Sequence, residues 1–246
     1  QPAGGGASVQ KRKLAEYRVT WHEDFSNTPP GPCIVVGNEF LDALPIRQFQ
    51  RTAQGWAERV IRLDPQGHFT FATQPVDNAP IPIPIAASAE VGAIFEYSDA
   101  VTAFVAAVAN RIVSQGGAAL LIDYGHTASA VGDTLQAVKQ HQYASILEQP
   151  GTADITAHVD FAHVKNVARS HNAAVFGPVE QGIWLKQLGI GVRQVQLARD
   201  KPANVAQSIE QGVRRLTDPH GMGVLFKVIG LANPGLPPLE GFIAPT

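Results

Sequence analysis

Cysteine, long apolar runs and clustered positive charge are what this chain has little of. A single cysteine, Cys33, excludes an internal disulfide framework and suits a reducing compartment. No apolar run approaches the ~20 residues that a membrane helix needs, so no membrane partner is expected. The basic residues are scattered, and the one tight group, Lys11-Arg12-Lys13, faces Glu16. With a formal net charge of −2, no nucleic-acid surface is expected either. The opening QPAGGGASVQ lacks the basic-then-apolar order of a secretory leader. It begins without methionine, which implies a processed or partial chain. No internal repeat is evident.

What remains is patterned. Residues 1–16 read as a glycine-rich flexible tail followed by the end of a helix in VQKRKLAEY. RVTWHEDF predicts a short strand and NTPPGP a stiff turn, because proline fixes φ and supplies no donor. CIVVGN, from Cys33 to Asn38, is a continuous β-branched run, as expected for a strand covered on both faces. The stretch IRQFQRTAQGWAERVIRLDPQGHFTFATQP alternates and is broken by AQG and DPQG, the turn signals of an antiparallel β-meander. Together with the proline-rich PVDNAPIPIPIAAS it forms an insertion over residues 46–90.

EYSDAVTAFVAAVANRIVSQGG carries apolar residues at helical spacing and stops at Gly116-Gly117. AALLIDYGH predicts a second fully buried strand. VDFAHVKNVARSHN, EQGIWLKQLG and PANVAQSIEQGVRRLTD predict helices, while AAVFGPV and GVLFKVIGLANPGL predict strands. Strands alternating with helices imply an α/β fold with a mostly parallel sheet and helices on both faces.

Two polar clusters end buried strands, where open parallel sheets bind ligands. In VVGNEFLDALP, Asn38 can cap a helix with Glu39 and Asp42 in its first turn, favourable to the helix dipole. The same residues can instead grip a cationic or amine-bearing substrate. In LLIDYGH, Asp123, Tyr124 and His126 follow three apolar residues. The order faintly suggests a nucleotide site, but the spaced glycines such a site uses are missing, and Gly125 suits a tight turn. His158-x-Asp160-x-x-His163 invites a metal reading, yet Asp160 precedes a helical pattern and is a natural N-cap that turns His163 away. No metal is therefore expected. Lys227, inside an apolar strand, is unusual.

Taken together, GNEFLDALPIRQF, LLIDYGHTASAVGDTLQAVKQHQY, PGTADITAHVDF, GPVEQGIWLKQLGI and LTDPHGMGVLFKVIGLANPG resemble the MidA-like family of class I S-adenosylmethionine-dependent methyltransferases. The resemblance runs in order from about Tyr17 to Phe242. Asn38, Glu39, Phe40, Asp42, Ala43, Leu44 and Pro45 match the family pattern Asn-Glu-Phe-x-Asp-Ala-Leu-Pro. It implies a Rossmann-like methyltransferase sheet of which residues 17–246 carry the C-terminal portion, from the third strand onward. CIVVGN is then the fourth strand and ALLIDYGH the fifth.

The resemblance also implies S-adenosyl-L-methionine as cofactor and methyl transfer to a protein arginine. Symmetric dimethylation of a respiratory complex I subunit is the implied target chemistry. The location would be bacterial cytoplasm, or mitochondrial matrix in a eukaryote. On this basis Glu39 is the main guanidinium partner, with Asp42 second and Asn38 orienting. Asp123, Tyr124 and His126 would form a facing wall, Asp154 and His158 an outer substrate shell, and Gly37 and Asn38 would touch the cofactor.

One departure limits the resemblance. The family's glycine-rich turn after the first strand, and the acidic residue on the second, are not recognisable here. The free edge of the fourth strand should then be exposed. A fragment of a complete enzyme, a chain completed by a partner or a second copy as a homodimer, and a non-catalytic assembly or binding module of the same fold are the three explanations.

Overall fold

The computed structural model describes residues 10–140 and 142–242; the tail expected over the first nine residues lies outside them. In chain order the strands are β1 (Cys33–Asn38), β2 (Arg47–Thr52), β3 (Gly55–Leu63), β4 (Phe69–Pro75), β5 (Ile94–Tyr97) and β6 (Gly117–His126). They continue with β7 (Gln136–Lys139), β8 (Gln142–Ala144), β9 (Asp154–Thr156), β10 (Val159–Asp160), β11 (Ala174–Glu180) and β12 (Phe226–Ala232). The helices are α1 (Ile83–Ser88), α2 (Asp99–Gln115), α3 (Phe161–Ser170), α4 (Gln181–Gln187), α5 (Ile190–Ala198), α6 (Ala203–Thr217) and the single turn α7 (Met222–Leu225). They fall into two compact units. One comprises residues 30–42, 100–129 and 158 onward; the other comprises the residues up to Pro29 with 43–99 and 130–157.

The first unit is built on a mixed sheet in the order β1-β6-β12-β11, with β10 pairing the end of β6. β1 and β6 run parallel, whereas β12 is antiparallel to both β6 and β11. The mostly parallel sheet expected from the alternation of elements is therefore mixed. The reason is that the long excursion α4–α7 brings the chain back reversed, between two strands already laid down. α2 buries Val101, Val105, Val108, Ala109 and Ile112 along one stripe, and α3 buries Phe161, Val164 and Ala168. The two helices are joined by Thr102 to His163 Nε2 at 2.7 Å and by Asn110 to His171 Nδ1 at 3.0 Å. Beneath them β12 is buried along its whole length.

β1 departs from the expectation of a strand covered on both faces. Ile34 and Val36 are 85% and 67% exposed, while the alternate residues Val35 and Gly37 are half-buried. Period-two alternation puts the two sets on opposite faces. A β-branched run cannot by itself say which of its faces is packed. β1 is also an edge strand, since β6 is its one partner among the described residues.

The second unit holds the antiparallel meander the turn signals predict. β2, β3 and β4 pair in sequence, and β5 returns to pair with β2. The short β7, β8 and β9 form a further sheet. This unit is wider than the expected 46–90, because it reaches past β5 and takes in residues 130–157. Gln48, buried on β2, explains the second extension. Its amide donates to Glu96 Oε1 and Asp133 Oδ1, both at 2.8 Å, and Arg59 donates to Asp133 Oδ2 at 2.7 Å. Glu96 in turn accepts from the backbone N–H groups of Thr134 and Leu135. A satisfied buried polar network of this kind fixes one arrangement of the chain. No strand forms at RVTWHEDF; a single 3-10 turn over Phe25–Asn27, capped by Asp24, stands at its end.

Candidate active site

The loop leaving β1 is organised by a residue from another strand. β1 pairs in register with β6 up to Asn38 opposite Ile122, and the Glu39 N–H then donates to the Ile122 carbonyl at 3.0 Å. At Glu39 the backbone flips to a left-handed conformation, φ +48. The next three N–H groups, of Phe40, Leu41 and Asp42, converge on one oxygen of Asp123, Oδ2, at 3.1, 2.9 and 3.2 Å. The other oxygen accepts the N–H of Tyr124 at 3.0 Å. Successive N–H groups turned to one side form a concavity that binds an anion, and here the anion is internal. No helix follows Asn38, so the helix-start reading of this stretch is corrected: the donors that would open a helix are held by Asp123.

Asp123 is fully buried. Burial, with the Asp42 carboxylate nearby, pushes its pKa up to about 7 against the four N–H donors that favour the charged form. Its side chain lies under the loop rather than on a wall facing it. Asp42 is only 6% exposed; its Oδ2 accepts a short hydrogen bond from the Tyr124 hydroxyl, and its Oδ1 has no hydrogen-bond partner. Tyr124 meets His158 and Phe226 edge-on, each at 5.5 Å between ring centres. Phe40 packs on Phe104 of α2 at 4.8 Å. Asn38 and Glu39 stand exposed above this packing.

The structure thus brings Asn38, Glu39, Asp42, Asp123, Tyr124 and His158 to the carboxyl ends of β1 and β6. His126 ends β6 with its Nε2 4.0 Å from Asp160 Oδ2. Asp154 is exposed on β9, in the other compact unit. Asp160 caps α3 by accepting the His163 N–H at 3.0 Å, and His163, its pKa lowered by burial, turns to Thr102. Among the described residues no group of three His, Cys, Asp or Glu side chains is placed to hold a metal ion. Lys227, 8% exposed, donates to the carbonyls of Val224 and Leu225 and so closes α7 against the sheet. Burial lowers its pKa, opposed by Glu180.

Gly125 does not make a tight turn. It continues β6 where β10 crosses closely: a Cβ there would lie 2.0 Å from the Val159 carbonyl oxygen, a backbone atom. Gly125→Ala should therefore break the β6–β10 pairing and cost about 3 kcal/mol or more, a value reserved for such specific lesions. Urea unfolding of the variant beside the parent measures this.

Reversed β12 set beside parallel β1 and β6, with a polar loop at their carboxyl ends, defines a Rossmann-like methyltransferase fold. The comparisons with known proteins agree. Residues 6–179 match the family described as "Putative S-adenosyl-L-methionine-dependent methyltransferase", and the chain belongs to that family. It is 34% identical over 219 residues to the mitochondrial protein arginine methyltransferase NDUFAF7 of Rattus norvegicus, covering 87% of this chain and 49% of that protein. The Homo sapiens NDUFAF7 is 33% identical, with 87% and 48% covered. A COG1565 superfamily crystal structure from Burkholderia thailandensis, bound to S-adenosyl-homocysteine, superposes with a TM-score of 0.80 at 29% identity. That match covers 98% of this chain and 63% of the other. The chain spans about half the length of the curated relatives it matches.

Polar, exposed residues end β1, the donor chemistry that a polar cofactor such as S-adenosylmethionine requires. An exposed amide and carboxylate, Asn38 and Glu39, adjoin Gly37, where a Cβ would lie 3.1 Å from Leu121 Cδ2 and would need that side chain to give way. Among the described residues no glycine-rich turn follows a strand parallel to β1.

Proposed function

We propose that this chain carries the methyl-accepting face of a protein arginine methyltransferase, with Glu39 holding the guanidinium. The observation behind this reading is the left-handed backbone at Glu39, which keeps its carboxylate exposed while Asp123 fastens the three following residues from below. Strain at a non-glycine residue persists where surrounding structure over-determines it, and such strain collects at functional sites.

Arginine stays protonated in water, so its nucleophilicity depends on a partner that localises charge on one nitrogen. A carboxylate meets the guanidinium fork bidentately, and Glu39 has the exposure to do so. Asn38 orients the same group. Asp42, tied to Tyr124 and carrying an unpartnered Oδ1, supplies a second acceptor once the loop admits the substrate. His158 and His126 border the approach. Gly37 and Asn38 would hold S-adenosylmethionine, which supplies an electrophilic methyl on a sulfonium when bound.

The relatives are named as mitochondrial protein arginine methyltransferases, and beyond those names we propose a respiratory complex I subunit as target, symmetric dimethylation as outcome and, in a eukaryote, the mitochondrial matrix as location. Self-association would cover the free edge of β1.

Calorimetric titration with S-adenosyl-homocysteine, followed by labelled methyl transfer to an arginine peptide, tests the reading. Micromolar binding with label on arginine supports it. Binding without transfer to any arginine peptide or complex I fragment would overturn it in favour of a binding module.

A further inference from the structure

The rim that carries Glu39 also carries a helical arm. Phe226 lies opposite Tyr124, and Glu180 opposite Lys227. β11 therefore ends, and β12 begins, at the rim where β1 and β6 end. The chain between them, α4 to α7, leaves and re-enters the sheet there. α6 keeps Ala206, Ile209, Val213 and Leu216 half-buried along one side, and α5 packs on α6.

The outer side of α5 has no such cover. Val192 and Val195, one turn apart, are 65% and 64% exposed, and Leu188, which caps the end of α4 before the left-handed Gly189 that precedes α5, is 47% exposed. Valine gains nothing from a solvent-facing helix position, where its stiff side chain lowers helix propensity. Single exposed apolar residues are ordinary, but aligned ones at helical spacing are a surface with a use. Lys186, Arg193, Arg199 and Lys201 lie on the same stretch, and among the described residues no salt bridge engages them. Asp200 and Glu210 are the only carboxylates between Gln181 and Thr217.

We propose that the outer face of α5 docks an acidic amphipathic helix of the protein substrate and so selects which arginine reaches Glu39. The purpose assigned to the contact rests on the methyl-transfer reading above; the contact itself does not. Apolar side chains at helical spacing would lie along Val192 and Val195, with carboxylates meeting Arg193 and, at the end of α5, Arg199. α5 is roughly 13 Å long at ~1.5 Å per residue, a match for two to three turns of a partner helix. A lipid surface fits less well, since helices that lie in bilayer interfaces carry tryptophan, phenylalanine or leucine on their apolar side. Here that side is valine.

The test is fluorescence anisotropy of a labelled peptide with leucine at helical spacing and glutamate elsewhere, titrated with the whole chain. Saturable binding that weakens with added salt is expected. Val192→Glu with Val195→Glu should raise Kd about tenfold or more, and circular dichroism should show the variant folded, since both positions face solvent. Arg193→Glu with Arg199→Glu should act in the same direction. Unchanged binding by either variant, or equal binding of a peptide with lysine in place of glutamate, overturns the proposal. So does binding of phosphatidylserine vesicles by the chain with the acidic peptide excluded. Glu39→Gln should leave peptide binding unchanged, so loss of docking and loss of methyl transfer are read separately.

Discussion

Glu39→Gln should lower methyl transfer about a hundredfold or more, the scale on which one charged transition-state contact is lost, without lowering stability. The amide keeps the shape and the exposed position of the carboxylate but cannot hold a guanidinium as an anion. Glu39→Gly should give the complementary result. Left-handed backbone costs an L-residue about 1–2 kcal/mol, and glycine returns part of that gain as lost chain entropy, roughly 0.5–1 kcal/mol. The glycine variant should therefore be as stable as the parent or up to about 1 kcal/mol more stable, and inactive. Chemical denaturation and a methyl-transfer assay, run on both variants in protein that binds S-adenosyl-homocysteine, separate the two effects. Full transfer by the glutamine variant would move the main guanidinium contact to Asp42. A glycine variant less stable than the parent would mean that Glu39 earns its place by packing.

Much of this molecule was legible where the signal is local. AQG and DPQG announced the meander because a hairpin turn is written in its own residues, and Asp160 announced its cap for the same reason. β5 escaped notice because Ile94–Tyr97 is a strand only by virtue of β2 beside it. RVTWHEDF failed in the opposite way: its residues suit a strand, but no partner pairs with it among the described residues. The resemblance to known methyltransferases named the loop after β1 as the site, while its local spelling pointed to a helix. What rules out the helix is Asp123, more than eighty residues downstream. A carboxylate that serves as cap for a distant loop leaves no mark at its own position beyond an acidic residue in an apolar strand. The exposed face of α5 was hidden for a related reason. Its stretch mixes apolar and polar residues as any surface helix does, and only the packing of α5 on α6 shows which side was left over.

Asp123 carries the second large expectation, and it has a sign that pH can test. In the unfolded chain an aspartate titrates near its ordinary value of 3.8, while in the fold burial raises Asp123 to about 7. Between those values the folded protein holds a proton that the unfolded chain has released, so stability falls as pH rises through the window and levels off above it. At about 1.4 kcal/mol per unit the contribution is on the order of a few kcal/mol. Asp123→Asn should remove this slope. Its carbonyl oxygen can still accept the N–H groups of Phe40, Leu41 and Asp42, but its amide then faces the Tyr124 N–H, donor against donor, at a cost of about 1–2 kcal/mol. Asp123→Ala leaves three loop donors and one strand donor without their acceptor and should cost about 3 kcal/mol or more. Urea titrations of parent and both variants across the acid-to-neutral range measure slope and offset together. A slope that survives in the asparagine variant would belong to another group. Because the same oxygen fastens the residues that follow Glu39, the alanine variant should also lose methyl transfer with Glu39 itself intact. The asparagine variant, with the loop still held, should keep most of it. That pairing ties the buried carboxylate to the site through position alone, since Asp123 has no exposed atom with which to touch a substrate.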